Sequence, residues 1–198
     1  RKFPKLIKIY HKIRLTILSF LKHPFYSNVF VENTAIKLPI HNPEVYGLSI
    51  GGGRVNNKRL YYEENLIKIF KEIAVGKKIF FDVGAHIGYW TYIATSLGMQ
   101  IVAFEPVQSL TNVMQKTKKK YNLPITILPD GRNLDEYVTR TGIIPDFIKI
   151  DVDGVETQVI PGAINLLKGH SPPMMIELRA ETMYLLDGLK KLGYKVAA

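Results

Sequence analysis

A chain of 198 residues with 46% hydrophobic and 22% charged side chains can bury a core as one domain, and its mean hydropathy near zero excludes a disordered chain. It holds no cysteine, which excludes disulfides and thiolate metal ligands and fits a reducing, cytoplasmic compartment. The net charge is +10, but Arg1, Lys2, Lys5, Lys8, Lys12, Arg14 and Lys22 supply seven positive charges within residues 1–24, with no acid among them, and this local excess argues against a nucleic-acid-binding body.

Residues 4–23, PKLIKIYHKIRLTILSFLKH, place Leu6, Tyr10, Ile13, Ile17 and Phe20 at helical spacing. Their longest uncharged run, Leu15 to Leu21, falls far short of the roughly 20 residues a membrane span needs. No small-residue cleavage site is present, so no signal peptide is expected. A basic amphipathic helix of this kind packs on its own domain or a partner, or makes peripheral contact with an anionic membrane. Residues 24–60 carry Pro24, Pro39, Pro43 and Gly51, Gly52, Gly53, and read as short extended pieces and turns. GGGRVNNKR lacks the lysine-then-hydroxyl ending of a phosphate loop. Residues 1–60 therefore form an N-terminal extension, and 61–198 the main domain.

YYEENLIKIFKEIAVG predicts a helix with Leu66, Ile69, Phe70 and Ile73 inward and a stop at Gly76. From Lys78 strand and helix alternate. KIFFDV is a strand, GYWTYIATSLG a helix closed by Gly98, IVAFE a strand, and 107–120 a helix. ITIL and DFIKID are strands, and ETQVIPGAINLLKG is helical with an interruption at Pro161. MMIEL is a strand, ETMYLLDGLKKLG a helix, and YKVAA starts a last strand. The alternation predicts an α/β fold, a mostly parallel sheet with helices on both faces. Ligands of such sheets sit beyond the carboxyl ends of the strands.

FFDVGAHIGYW carries the first chemistry. Asp82 ends a strand, and Gly84 and Gly88 bracket the turn into a helix, where bare backbone admits close approach. A dinucleotide turn favours G-x-G-x-x-G, whose amides hold pyrophosphate. Here an acid in the turn repels phosphate and suits a ligand with a cationic end, such as S-adenosyl-L-methionine. In AFEP, Glu105 stands at the next strand's carboxyl end, where a carboxylate accepts two hydrogen bonds from a ribose diol or caps the following helix. NAD proteins use the same device, so Glu105 by itself does not discriminate. Pro106 ends the strand and sets the chain's exit beside the same ligand.

DFIKIDVDGVE is the third constellation. Alternation puts Phe147, Lys149 and Asp151 on one face and Ile148 and Ile150 on the other. A buried lysine needs a carboxylate, and Asp151 or Glu177 is expected to supply it. Asp151, Asp153 and Glu156 gather at the strand's end, either as a catalytic group or as a polar network shaping the turn. Tyr89, Trp90 and Tyr92 form a stacking surface for a sugar ring or, at helical spacing, part of the core.

FFDVGAHIGYWTYIA, VAFEPVQSL and DFIKIDVDGVETQVIPGAINLLKGHSPPMMIEL, with NLDEYV ahead of the fourth strand, together resemble the FkbM-type S-adenosylmethionine-dependent methyltransferases over roughly residues 60–195. The resemblance implies a Rossmann-like class I sheet and methylation of a hydroxyl, often on a sugar. It implies Asp82, Gly84 and Gly88 around the methionine end of the cofactor and Glu105 on its ribose. Lys149, Asp151, Asp153 and Glu156 then lie near a small-molecule or glycan acceptor, with Asp151 first and Glu156 second as proton acceptor. No metal is expected. Two departures stand out. His86 replaces the family's usual asparagine, as a cofactor contact, a proton carrier or a turn residue. The stretch 106–146 is short, leaving Asp130 as the candidate on the adenine side, and a class I fold would continue through two more strands after YKVAA. The competing expectations are an NAD-dependent oxidoreductase or epimerase and a non-catalytic binding domain.

Overall fold

The computed structural model describes residues 26–31, 34–39, 54–55, 58–59 and 64–196. The expected helix over 4–23, the membrane contact through residues 1–24 and the Gly51–Gly53 turn lie outside the described residues. The chain divides into two compact units, 1–65 and 66–198.

In the first unit, β1 (Tyr26–Val31) and β2 (Thr34–Pro39) pair antiparallel with Val29 opposite Ile36. β3 (Arg54–Val55) and β4 (Lys58–Arg59) form a second short antiparallel ladder. These are the expected extended pieces.

Helix α1 (Glu64–Ala74) leads into the second unit. Its inward face is narrower than the expected stripe. Phe70 and Ala74 are buried, whereas Leu66 and Ile69 are exposed. The Phe70 ring fixes the helix, packing at 5.0–5.1 Å centroid distance on Phe80, Trp90 and Phe147. Ile69, about 100° round the helix from Phe70, is left outside that contact.

The alternation then follows the expected order: β5 (Ile79–Val83), α2 (Tyr89–Ser96), β6 (Gln100–Phe104), α3 (Gln108–Tyr121), β7 (Ile125–Leu128), α4 (Leu134–Thr141), β8 (Phe147–Ile150). α5 (Glu156–Val159), a 3-10 turn at Pro161–Ala163 and α6 (Ile164–His170) follow, with the break at the proline as expected. β9 (Met174–Ile176) and α7 (Leu185–Lys191) complete the order.

The helix expected over 181–193 is split, because Ala180–Thr182 forms a 3-10 turn in which the Thr182 hydroxyl accepts the Arg179 amide. Tyr194 to Val196 form no strand. The Tyr194 hydroxyl instead donates to the Pro172 carbonyl at 3.2 Å and folds this segment back.

The sheet order is β7-β6-β5-β8-β9, and every pairing is parallel. Its strands are near-continuous apolar runs because both faces are covered. Phe81, Val83, Val102, Phe104, Ile148 and Ile150 pack on one face against Leu134 and Tyr137 of α4, Leu166 and Leu167 of α6 and Leu189 of α7. Phe80 and Phe147 point to the other face, onto Phe70 of α1, which in turn meets Trp90 of α2. The chain builds outward from β5 to β7 and then returns to β8 on the far side of β5. The switch point therefore falls at the carboxyl ends of β5 and its neighbours, where crevices open in such sheets.

Candidate active site

The turn after β5 concentrates unusual backbone. Gly84, His86 and Gly88 have φ of 81°, 55° and 93°. The amides of Gly84 and Ala85 both donate to the Phe104 carbonyl at 3.0 Å, which pins the turn to the tip of β6. A Cβ on Gly84 would stand 1.8 Å from the Asp151 carbonyl oxygen, and one on Gly88 2.8 Å from the Tyr92 ring. The close approaches that demand these glycines are thus to the protein's own β8 tip and α2.

Glu105 stands at the tip of β6, almost fully buried. Its Oε2 accepts the His86 amide at 2.8 Å and its Oε1 accepts the Val107 amide at 2.9 Å. Each oxygen keeps a second lone pair for a further donor. Pro106 follows, exposed.

Asp82 is fully buried and departs from the expected position in the turn. Its Oδ2 accepts the Thr91 hydroxyl at 2.6 Å, and Lys149 Nζ lies 3.9 Å from Oδ1, which has no hydrogen-bond partner. The carboxylate therefore sits beneath the turn, drawn toward α2 and β8. Burial pushes its pKa up, while the Lys149 charge and the Thr91 hydroxyl oppose the rise.

Lys149 is buried at the centre of the site. Its Nζ donates to Asp151 Oδ2 at 2.9 Å. Asp151 is the expected partner, and Asp82 is a second one, brought in by the β5–β8 register that sets Asp82 beside Lys149. The Asp151 side chain is 35% exposed, so it links the buried ions to the surface.

The other two acids of this segment face elsewhere. Asp153, left-handed at φ 52°, is exposed and pairs with the Arg179 guanidinium at the end of β9. Glu156 is buried and its Oε1 accepts the amides of Gly154 at 3.1 Å and Val152 at 3.4 Å. Its Oε2 has no hydrogen-bond partner. The turn places the three acids together but splays their carboxylates in three directions.

Asp130, beyond β7, is exposed and forms a bidentate pair with Arg132, whose Nη2 stands 2.7 Å from Oδ2. The guanidinium holds this carboxyl below its ordinary value. His86 is exposed. Tyr89, Trp90 and Tyr92 are buried, with Trp90 against Phe70 and Tyr89, so they are core rather than a stacking platform. Sequence reasoning missed Thr91, Arg132 and Arg179. Arg132 alone carried a local signal, its place two residues after Asp130.

No family model matches the chain, and no curated protein matches it. Solved structures do resemble it. An FkbM methyltransferase from Methylobacillus flagellatus is 21% identical with a TM-score of 0.50, covering 59% of this chain and 37% of that one. A putative caffeoyl-CoA O-methyltransferase from Staphylococcus aureus is 13% identical with a TM-score of 0.54, covering 93% of this chain and 85% of that one. The tRNA (uracil-54, C5)-methyltransferase of Pyrococcus abyssi, solved with S-adenosyl-L-homocysteine, is 13% identical with a TM-score of 0.50 over 74% of this chain and 32% of that one. The chain thus spans under two-fifths of the length of the FkbM structure. The fold is the Rossmann-like sheet of class I methyltransferases.

Proposed function

We propose that this chain is an S-adenosyl-L-methionine-dependent O-methyltransferase acting on a hydroxyl of a sugar or other small acceptor. One observation carries the reading: Glu105, buried at the tip of β6, is fixed by the amides of His86 and Val107 beside a tight turn at the sheet's switch point.

The donor set fits that cofactor. The carboxylates of Asp82, Glu105 and Asp151 stand at the carboxyl ends of three adjacent strands. Even with the Lys149 cation between two of them, their combined field favours a sulfonium and an ammonium over a pyrophosphate. When bound, the cofactor supplies an electrophilic methyl group.

Glu105 accepts the ribose hydroxyls through its remaining lone pairs. The backbone of residues 84–88 lines the methionine side, and Asp82 adds negative charge from beneath it. Asp130 and Arg132 edge the adenine side, and Pro106 sets the chain's exit there. Lys149 holds Asp151 Oδ2, which would leave Oδ1 to take the proton of an acceptor hydroxyl. Glu156 is the second candidate for that proton, and Asp153 with Arg179 edges the acceptor. Orientation of the acceptor in line with the methyl group supplies much of the rate, roughly 7–11 kcal/mol for well-placed pairs. The sugar-type acceptor rests on the three FkbM-like segments.

The test is labelled methyl donor with a panel of glycans and small hydroxyl compounds. Label is expected on an acceptor oxygen. Asp151→Asn should lower turnover by about a hundredfold or more with affinity for S-adenosylhomocysteine retained. Equal loss of both would move Asp151 from proton transfer to cofactor binding.

A further inference from the structure

Charge in the second unit is sorted by sheet edge. Because β5 to β9 run parallel, the segments that enter the strands share one edge and those that leave share the other. Backbone hydrogen bonds tie the entering segments together: Gln100 to Lys78, Ile101 to Pro124, Asp146 to Ile79 and Ile148 to Pro173. The acids described above occupy the leaving edge. The entering edge exposes Lys78, Lys119, Arg140, Lys168, Lys191 and Lys195. Asp146, whose Oδ2 accepts the amides of Lys78 and Ile79, and exposed Glu72 in the last turn of α1 also lie there, and the cations outnumber them.

Aliphatic side chains stand exposed among these cations. Val75 is 78% exposed, Leu97 39%, Ile144 37% and Val196 48%. They come from four different segments that flank β5, β6, β8 and the end of α7. Helix dipoles account for lysines in the last turns of α3, α6 and α7. They account neither for Lys78, Lys195 nor for apolar tips left in water.

We infer that this edge is a docking surface for an anionic lipid bilayer. Lysines attract the headgroups, and the aliphatic tips enter the interface between them. Nucleic acid is a poorer match, since the well-exposed hydrophobics of this edge are aliphatic and its rings, Tyr121 and Tyr194, are half-buried. The chain's own residues 1–24 are a second basic, acid-free segment. A docked domain turns its acidic strand tips toward the aqueous side, so its site meets a ligand from water. This inference is independent of the reaction proposed above.

The full chain is sedimented with vesicles of phosphatidylcholine containing about 30% phosphatidylserine, with phosphatidylcholine alone as control. Each basic side chain near such a surface strengthens binding about fivefold, so the triple variant Lys78→Glu, Lys119→Glu, Lys168→Glu should bind about a hundredfold more weakly or worse. The pair Val75→Ser, Ile144→Ser should bind severalfold more weakly. If the triple variant does not fold, the serine pair decides. Unchanged binding in a folded variant overturns the proposal. So does equal binding to neutral vesicles, loss of binding only on Lys5→Gln, Lys8→Gln, Lys12→Gln, or a chain that binds duplex RNA and no vesicle.

Discussion

Glu105 accepts the backbone amide of His86 at 2.8 Å, joining the tip of β6 to the turn that follows β5. A charged acceptor thereby holds a left-handed residue, φ 55°, in place. The same carboxylate is the group assigned to the ribose. In the proposed reading, binding and turn geometry would be coupled through this one side chain.

Glu105→Gln should weaken binding of S-adenosylhomocysteine by about 10- to 100-fold, because hydrogen bonds to a charged group contribute about 1.5–3 kcal/mol. The amide has one oxygen for two backbone donors, so the turn loosens as well. Calorimetry on the variant measures the loss. Affinity equal to wild type would remove Glu105 from the site.

Gly84→Ala and Gly98→Ala separate steric from conformational cost. Both glycines are left-handed, at φ 81° and 79°, but a Cβ on Gly98 would meet nothing within 4 Å, whereas one on Gly84 would meet the Asp151 carbonyl at 1.8 Å. Gly98→Ala should cost about 1–2 kcal/mol. Gly84→Ala should cost more than about 4 kcal/mol. Urea unfolding of the two variants gives the comparison, and equal losses would contradict the observed contact.

Asp82 gives a pH signature. Burial raises its pKa above the ordinary 3.8, with Lys149 and Thr91 opposing. The folded state then holds this proton more tightly than the unfolded state. Its stabilising contribution is fullest below the unfolded value and is lost as pH rises through the folded one. Relative to Asp82→Asn, the wild type should lose stability from about pH 4 upward. Parallel stability curves for the two proteins would show that Asp82 is not shifted.

Lys149→Met leaves Asp82 buried without its cation. Breaking such a pair costs about 3–5 kcal/mol. Adding Asp82→Asn should recover about 1 kcal/mol or more of that loss, because the residues interact directly. Additive losses in the double-mutant cycle would show that Asp151 alone satisfies Lys149.

The sheet was legible because each strand is a short apolar run ended by Gly, Pro or an acid. Lys149 was also legible in part: alternation put it on the face shared with Phe147 and Asp151, and burial demanded a carboxylate. Its second partner was not, since Asp82 reaches Lys149 through strand pairing 67 positions apart in the chain. Alternation fixes the face a strand residue joins. It does not show that Thr91, on the next helix, draws Asp82 beneath the turn. The clustering of Asp151, Asp153 and Glu156 was visible, and Asp153-Gly154 marks a turn, but that dipeptide does not say which way each carboxylate points once Asp153 turns left-handed. The α1 stripe misled for a similar reason, because four apolar residues at helical spacing do not say which one anchors the helix. Phe70 does, through three aromatic contacts.

Titration calorimetry of the full chain with S-adenosylhomocysteine and, separately, with NAD tests the central claim most directly. Saturable binding of S-adenosylhomocysteine with no heat from NAD is the expected result. Binding of NAD, or no binding of S-adenosylhomocysteine by the folded chain, would contradict it.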